Sequence, residues 1–158
     1  MLNVLSGQLG DRFLAPVGTH CILELYDCPA AQLNDADLIK HSLREAAKKA
    51  NATLLNEVMH QFEPQGITAL ALLSESHISI HTWPENGYAA VDVFTCGQHT
   101  DPEMACLYLV RAMQAGTYAV RKLPRQSETP LTSSFTIAAH ALEASSPSPR
   151  EMVASGIE

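Results

Sequence analysis

The chain has 158 residues, 46% of them hydrophobic and 17% charged, which is the make-up of one folded domain rather than a disordered segment. Its formal net charge of −7 argues against a phosphate-backbone partner, because nucleic-acid binding needs a clustered basic surface, and is compatible with a cationic small ligand. No apolar run approaches the roughly 20 residues that span a bilayer, and the first residues, MLNVLSGQLGDRFLAPVG, lack the basic start and apolar stretch of a secretory signal. A cytoplasmic location is the expectation. The four cysteines (Cys21, Cys28, Cys96 and Cys106) have no zinc-finger spacing and are too few for a disulfide scaffold, so reduced thiols are expected.

In chain order, GTHCILELYD (Gly18 to Asp27) alternates Cys21, Leu23 and Leu25 with Ile22, Glu24 and Tyr26, and reads as a strand ended by Cys28-Pro29. From Leu33 to Ala50 the positions Leu38, Ile39, Leu43, Ala46, Ala47 and Ala50 recur at helical spacing. Asn34 or Asp35 is placed to cap that helix, and Lys48-Lys49 fall in its last turn, where cations are favoured. Thr53 to Phe62 reads as a second strand and Pro64-Gln65-Gly66 as a turn. Ile67 to Leu73 is a short continuous apolar run, as expected for a buried strand.

His77 to Thr82 alternates again, with His77, Ser79 and His81 on one face and Ile78 and Ile80 on the other. Pro84-Glu85-Asn86-Gly87 reads as a turn and Tyr88 to Thr95 as a strand. A second helix is marked by Asp101 as N-cap, Pro102 at its first position, Glu103 in its first turn and Gly116 past its end. Thr117 to Leu123 reads as a last strand. From Gln126 onward the chain is rich in Ser, Thr, Pro and Ala and is expected to be a mobile tail, with a short helix near Ile137 to Ala144. The β-α-β…β-α-β order predicts an α+β fold, a two-layer sandwich with helices on one face of a mainly antiparallel sheet. The expected organisation is an N-terminal extension over 1–17, a domain over 18–125 and a tail over 126–158.

The stretch LLSESHISIHTWPENGYAAVDVFTCG, Leu72 to Gly97, is dense in reactive groups for two strands and a turn. Taken one at a time, its polar residues fit strand positions that face water. A metal reading is weak: His77 and His81 share a face but stand about 13 Å apart at strand spacing, and Cys96 and His99 complete no zinc pattern. A third reading is self-cleavage. A serine hydroxyl attacks the preceding carbonyl, the amide becomes an ester, and a base removes the serine Cα proton. β-Elimination then splits the chain and leaves a pyruvoyl ketone at the new N-terminus, an electron sink able to form a Schiff base with a substrate amine. Ser76, Thr68, His81 and Cys96 are candidates for that chemistry. Composition and spacing do not choose among these readings.

The stretch SESHISIHTWPENGYAAVDVFTCG, Ser74 to Gly97, closely resembles the signature of the small prokaryotic S-adenosylmethionine decarboxylases, a pyruvoyl-dependent family. GTHCILELYDC resembles the family's first strand, FEPQGIT its approach to the processing strand, and DPEMACLYLVRAM its second helix, so the likeness runs from about Gly18 to Pro124. It implies cleavage between Glu75 and Ser76, with Ser76 the source of the pyruvoyl cofactor, His81 the base in processing and Cys96 the proton donor in decarboxylation. Thr68 stands where the family has a serine that assists processing. The resemblance implies that Glu85 holds the substrate's ribose and Phe62 stacks on its adenine. A thiol protonated at neutral pH suits the donor role and a neutral imidazole the base role.

The function so implied is decarboxylation of S-adenosylmethionine to the aminopropyl donor of spermidine synthesis. The partner is a small molecule, with neither nucleic acid nor membrane involved. Two alternatives stay open: a pyruvoyl-dependent arginine or ornithine decarboxylase on the same fold, and an unprocessed homologue that binds without catalysis. Helices on one sheet face leave the other uncovered, so a dimer is expected; the family resemblance implies a homodimer of cleaved protomers with sites near its interface.

Overall fold

Strand β1 (Gly18–Tyr26) buries Cys21, Leu23 and Leu25 completely on one face, as its alternation predicts. The computed structural model describes residues 17–125; the expected extension, apart from Val17, and the expected tail, including the helix near Ile137, lie outside them. After β1 comes a feature that helical spacing alone does not separate, a short helix α1 (Ala30–Leu33) opened by Pro29. Helix α2 (Ala36–Lys49) therefore starts later than Leu33, where Asp35 caps it by accepting the Leu38 N–H at 2.9 Å.

Strands β2 (Leu54–Gln61), β3 (Ile67–Leu73), β4 (Ser76–Trp83) and β5 (Tyr88–Cys96) then run as a meander. A short 3-10 turn, Pro84–Asn86, links β4 to β5, with Gly87 in the left-handed region. Helix α3 (Pro102–Ala112) is capped by Asp101, which accepts the Met104 N–H at 3.2 Å, and has Pro102 at its start. Strand β6 (Thr117–Arg125) follows.

The six strands form one sheet in the order β2-β3-β4-β5-β1-β6, and every neighbouring pair is antiparallel. Helices α2 and α3 pack on each other and on the same face of the sheet, which is the expected α+β two-layer sandwich. Between the layers lie Leu23, Leu25, Ile39, Leu43, Ile78, Ile80, Val91, Val93 and Leu109, all essentially inaccessible. Each such side chain contributes on the order of 1.5–3 kcal/mol. Thr82 is a buried polar residue with all its needs met: its hydroxyl accepts the Ile67 N–H and donates to the Leu33 carbonyl, both at 2.8 Å. It ties α1 to the sheet.

The expectation for β3 holds on one side only. Ile67, Ala69, Ala71 and Leu73 are buried against the helices, whereas Thr68 and Leu70 are half-buried and Leu72 is 45% exposed. The apolar run is continuous because the second face of the sheet is also apolar, not because this chain covers it. On that open face Val58, Phe62 and Trp83 are exposed as well.

Candidate active site

The register divides the reactive residues of β4 between two ends of the sheet. At the first end, Leu73 pairs with Ser76 across a turn made by Ser74 and Glu75. Hairpin turns of this length normally place positive φ at the turn residues themselves. Here the unusual backbone falls one residue later: Ser76 has φ 144°, and it is the one non-glycine residue with positive φ between Asn51 and Gln114. A β-carbon in that region costs of order 1–3 kcal/mol.

The turn is held from several sides. The Ser74 N–H donates to the Thr53 carbonyl at 2.9 Å. The Thr53 N–H donates to Glu75 Oε2 at 2.8 Å, and His99 Nε2 lies 3.5 Å from Glu75 Oε1. The Thr53 amide, foremost, keeps the Glu75 carboxyl below the usual carboxylate range. The Glu75 carbonyl oxygen accepts the Cys96 N–H at 2.8 Å. Ser76 sits opposite Thr95, one residue from Cys96, and its Oγ lies 3.2 Å from His77 Nδ1.

Cys96 reaches this end of the sheet because its neighbours leave room. A Cβ built on Gly18 would stand 2.6 Å from the Thr95 carbonyl oxygen and 3.2 Å from Cys96 Sγ. Beyond it, Gly97 turns the chain at φ 87°, and the Thr100 hydroxyl lies within 3.2 Å of the Cys96 and Gly97 carbonyls. Cys96 is half-buried, while Cys21, Cys28 and Cys106 are buried, and none of the four is in a disulfide. Nearby on the open face, His77 meets the Phe94 ring edge-on at 6.1 Å, and the Arg125 guanidinium lies 5.0 Å from the same ring.

At the other end, Thr68 and His81 are directly paired across β3 and β4, and Thr68 Oγ1 lies 2.9 Å from His81 Nδ1. Trp83 follows His81, with ring centroids 6.4 Å apart, and stacks on Tyr88 at 5.2 Å. Glu85 lies in the turn after Trp83 and accepts from Gln65 Nε2 at 3.2 Å. Phe62 stands at the β2 end of the β2–β3 turn, 47% exposed, with its ring edge-on to His60.

Thr68, His81, Glu85 and Phe62 thus gather at one end of the sheet, and Glu75, Ser76 and Cys96 at the other. Ser76 and His81 are five residues apart on a regular strand, about 16 Å. Within one chain His81 cannot exchange a proton with Ser76. Three parts of the first end do not show in the sequence: the Cys96 amide on the Glu75 carbonyl, the carboxylate clamp of Thr53 and His99, and the contact of His77 with Ser76. Backbone amides leave no signal in a sequence, and His77 stands out there only as a metal candidate. Among the described residues, no three His, Cys, Asp or Glu side chains converge as a metal site would require.

The family model described as S-adenosylmethionine decarboxylase matches residues 19–126. The chain belongs to the S-adenosylmethionine decarboxylase family. It is 59% identical over 121 residues to the "S-adenosylmethionine decarboxylase proenzyme" of Parasynechococcus marenigrum (strain WH8102), a match covering 77% of this chain and 93% of that one. It is 58% identical over 115 residues to the proenzyme of the same name from Prochlorococcus marinus (strain MIT 9313), covering 73% and 92%. Among solved structures, the adenosylmethionine decarboxylase of Aquifex aeolicus VF5 superposes with a TM-score of 0.67 at 34% identity, covering 75% of this chain and 98% of that one. The matched range contains both ends of the sheet and the whole motif from Ser74 to Gly97.

Proposed function

We propose that this chain is a proenzyme that cuts itself between Glu75 and Ser76, and that the cleaved enzyme decarboxylates S-adenosylmethionine. The observation that carries the reading is the junction itself. Ser76 is held at φ 144°, and the carbonyl of the residue before it is already polarised by the Cys96 amide at 2.8 Å. Attack on that carbonyl develops negative charge on its oxygen, and an amide N–H aimed at the oxygen stabilises that charge where it forms. Moving the acyl group from nitrogen to Oγ also releases the strain stored at Ser76.

The residues fit a pyruvoyl group at position 76. Its source, Ser76, is half-buried at a turn rather than fixed inside the core, and the Cys96 side chain arises from the strand paired with it. The pyruvoyl group supplies an electron sink for a substrate held through its amine. Cys96 holds a proton at Sγ for the substrate carbon that loses carbon dioxide. Phe62 offers an exposed ring for the adenine, and Glu85 a carboxylate for the ribose hydroxyls. The cationic sulfonium matches both an aromatic surface and an acidic protein.

The separation of the two ends makes a homodimer part of this proposal. If two open faces pack with a two-fold axis across the strands near Ser79, the Ser76 end of one protomer meets the His81 end of the other. A two-fold interface pairs position i with j and j with i, so two identical sites result. The partner subunit's Thr68, His81, Glu85 and Phe62 then complete the site begun by Glu75, Ser76 and Cys96. The same packing covers Leu72, Val58 and Trp83, which a lone chain leaves in water.

The experiment is release of labelled carbon dioxide by the purified enzyme from S-adenosylmethionine, arginine and ornithine, each labelled in the carboxyl carbon. Release from S-adenosylmethionine alone is the expected result. Release from arginine or ornithine instead would overturn the substrate assignment, and no release from any of the three would overturn the enzyme reading.

A further inference from the structure

We propose that His77 is the base that starts self-cleavage, leaving His81 for the later elimination; this rests on cleavage at Ser76 as proposed above. In a regular strand adjacent side chains point to opposite faces. Ser76 is paired with Leu73 and Thr95, which are buried on the helix side, so a regular backbone would turn its hydroxyl away from His77. The φ of 144° breaks that alternation and brings Oγ to 3.2 Å from His77 Nδ1. The unusual backbone therefore does two things: it strains the junction, and it gives the nucleophile a base. The His77 ring is set by its edge-on contact with Phe94. His81, about 16 Å away along the strand, has no comparable access to this hydroxyl within the chain.

The step balances without a co-reactant. With its own proton on Nε2, His77 accepts the Ser76 hydroxyl proton at Nδ1 as Oγ adds to the Glu75 carbonyl carbon. The Cys96 N–H receives the resulting oxyanion. The bond from that carbon to the Ser76 nitrogen then breaks, and the proton on His77 passes to the departing nitrogen. One amide becomes one ester and one amine. Removal of the Ser76 Cα proton, with loss of the ester carboxylate from Cβ, is a separate step needing a base on another side, the place the dimer gives to the partner subunit's His81.

The test follows cleavage by intact mass after cell-free synthesis of the full chain, for wild type, His77→Ala, His77→Asn and His81→Ala. Losing a general base costs about 100-fold or more in rate, so His77→Ala should cleave at least that much more slowly. His77→Asn keeps a hydrogen-bonding partner for the hydroxyl but no base, and should be equally slow. Added imidazole should restore part of the His77→Ala rate. Hydroxylamine, which cleaves esters but not amides under mild conditions, should cut the stalled His81→Ala chain at residue 75 and leave His77→Ala intact. Any of three results overturns the proposal alone: His77→Ala cleaving at the wild-type rate, His77→Asn doing so, or a slow His77→Ala that imidazole leaves unchanged and hydroxylamine cuts as readily as His81→Ala. A wild-type chain that never cleaves overturns the cleavage reading itself.

Discussion

The Cys96 amide donates to the Glu75 carbonyl oxygen at 2.8 Å, so the strand that carries the proposed proton donor also holds the proposed scissile carbonyl. That bond crosses from the end of β5 to the turn before β4, and it is why changes at this end of the sheet should be felt in cleavage as well as in decarboxylation.

Ser76→Ala and Ser76→Gly should both remain single chains and release no carbon dioxide, since neither has a hydroxyl. They should differ in stability. Glycine adopts φ 144° freely whereas alanine does not, so Ser76→Gly should be the more stable, by about 1 kcal/mol. Urea denaturation of the two uncleaved variants measures the difference; equal midpoints would mean that the backbone at this junction is not strained.

Gly18→Ala places a methyl 2.6 Å from the Thr95 carbonyl oxygen and 2.9 Å from the Phe94 ring. Backbone cannot yield as a side-chain tip does, so the loss should be roughly 1–3 kcal/mol. Because the same methyl stands 3.2 Å from Cys96 Sγ, turnover should fall further than the population of folded enzyme does. Denaturation midpoints and carbon dioxide release on the same preparation separate the two effects.

The divided site predicts complementation. Ser76→Ala lacks the nucleophile and His81→Ala the elimination base, so each alone should stay uncleaved. Co-expressed, they form mixed dimers in which the intact Ser76 of one chain faces the intact His81 of the other. Cleavage of the His81→Ala chain in the mixture, and of no other, is the expected mass spectrum. A mixture as inert as its parents would mean that each site is built within one chain.

At alkaline pH the fold should weaken through Cys28 and Tyr88. Burial pushes the Cys28 thiol up to about 11 from 9.0, and the bond to Glu24 pushes the Tyr88 hydroxyl up to about 12 from 10.0. Both groups hold their proton more tightly when folded. Their stabilisation is fully present below pH 9 and is lost as pH rises through 9 to 11 for Cys28 and through 10 to 12 for Tyr88. Melting temperature should fall over that range, and less steeply for Cys28→Ala between pH 9 and 11.

Most of the fold is legible in the amino-acid sequence. The alternation of Cys21, Leu23 and Leu25, the caps Asp35 and Asp101, and Pro102 at a helix start set the element order, because each is a local signal with a local cause. The motif from Ser74 to Gly97 points to the family. Other features depend on what lies across space. Leu70 and Leu72 read as core because apolar residues are written the same way whether the same chain or a partner covers them. Asn34 reads as a cap for one long helix, where the chain makes two. The distance from Ser76 to His81 follows from strand rise alone, yet grouping the two by role hides it. The φ of Ser76, which sets the strain and the contact with His77, has no residue-type signature at all.

The most direct measurement is the intact mass of the purified, denatured and reduced protein. Self-cleavage predicts two chains that part between Glu75 and Ser76, the second lighter by one ammonia than a chain beginning with serine. A single chain of full mass, unchanged over days at neutral pH, would contradict the account.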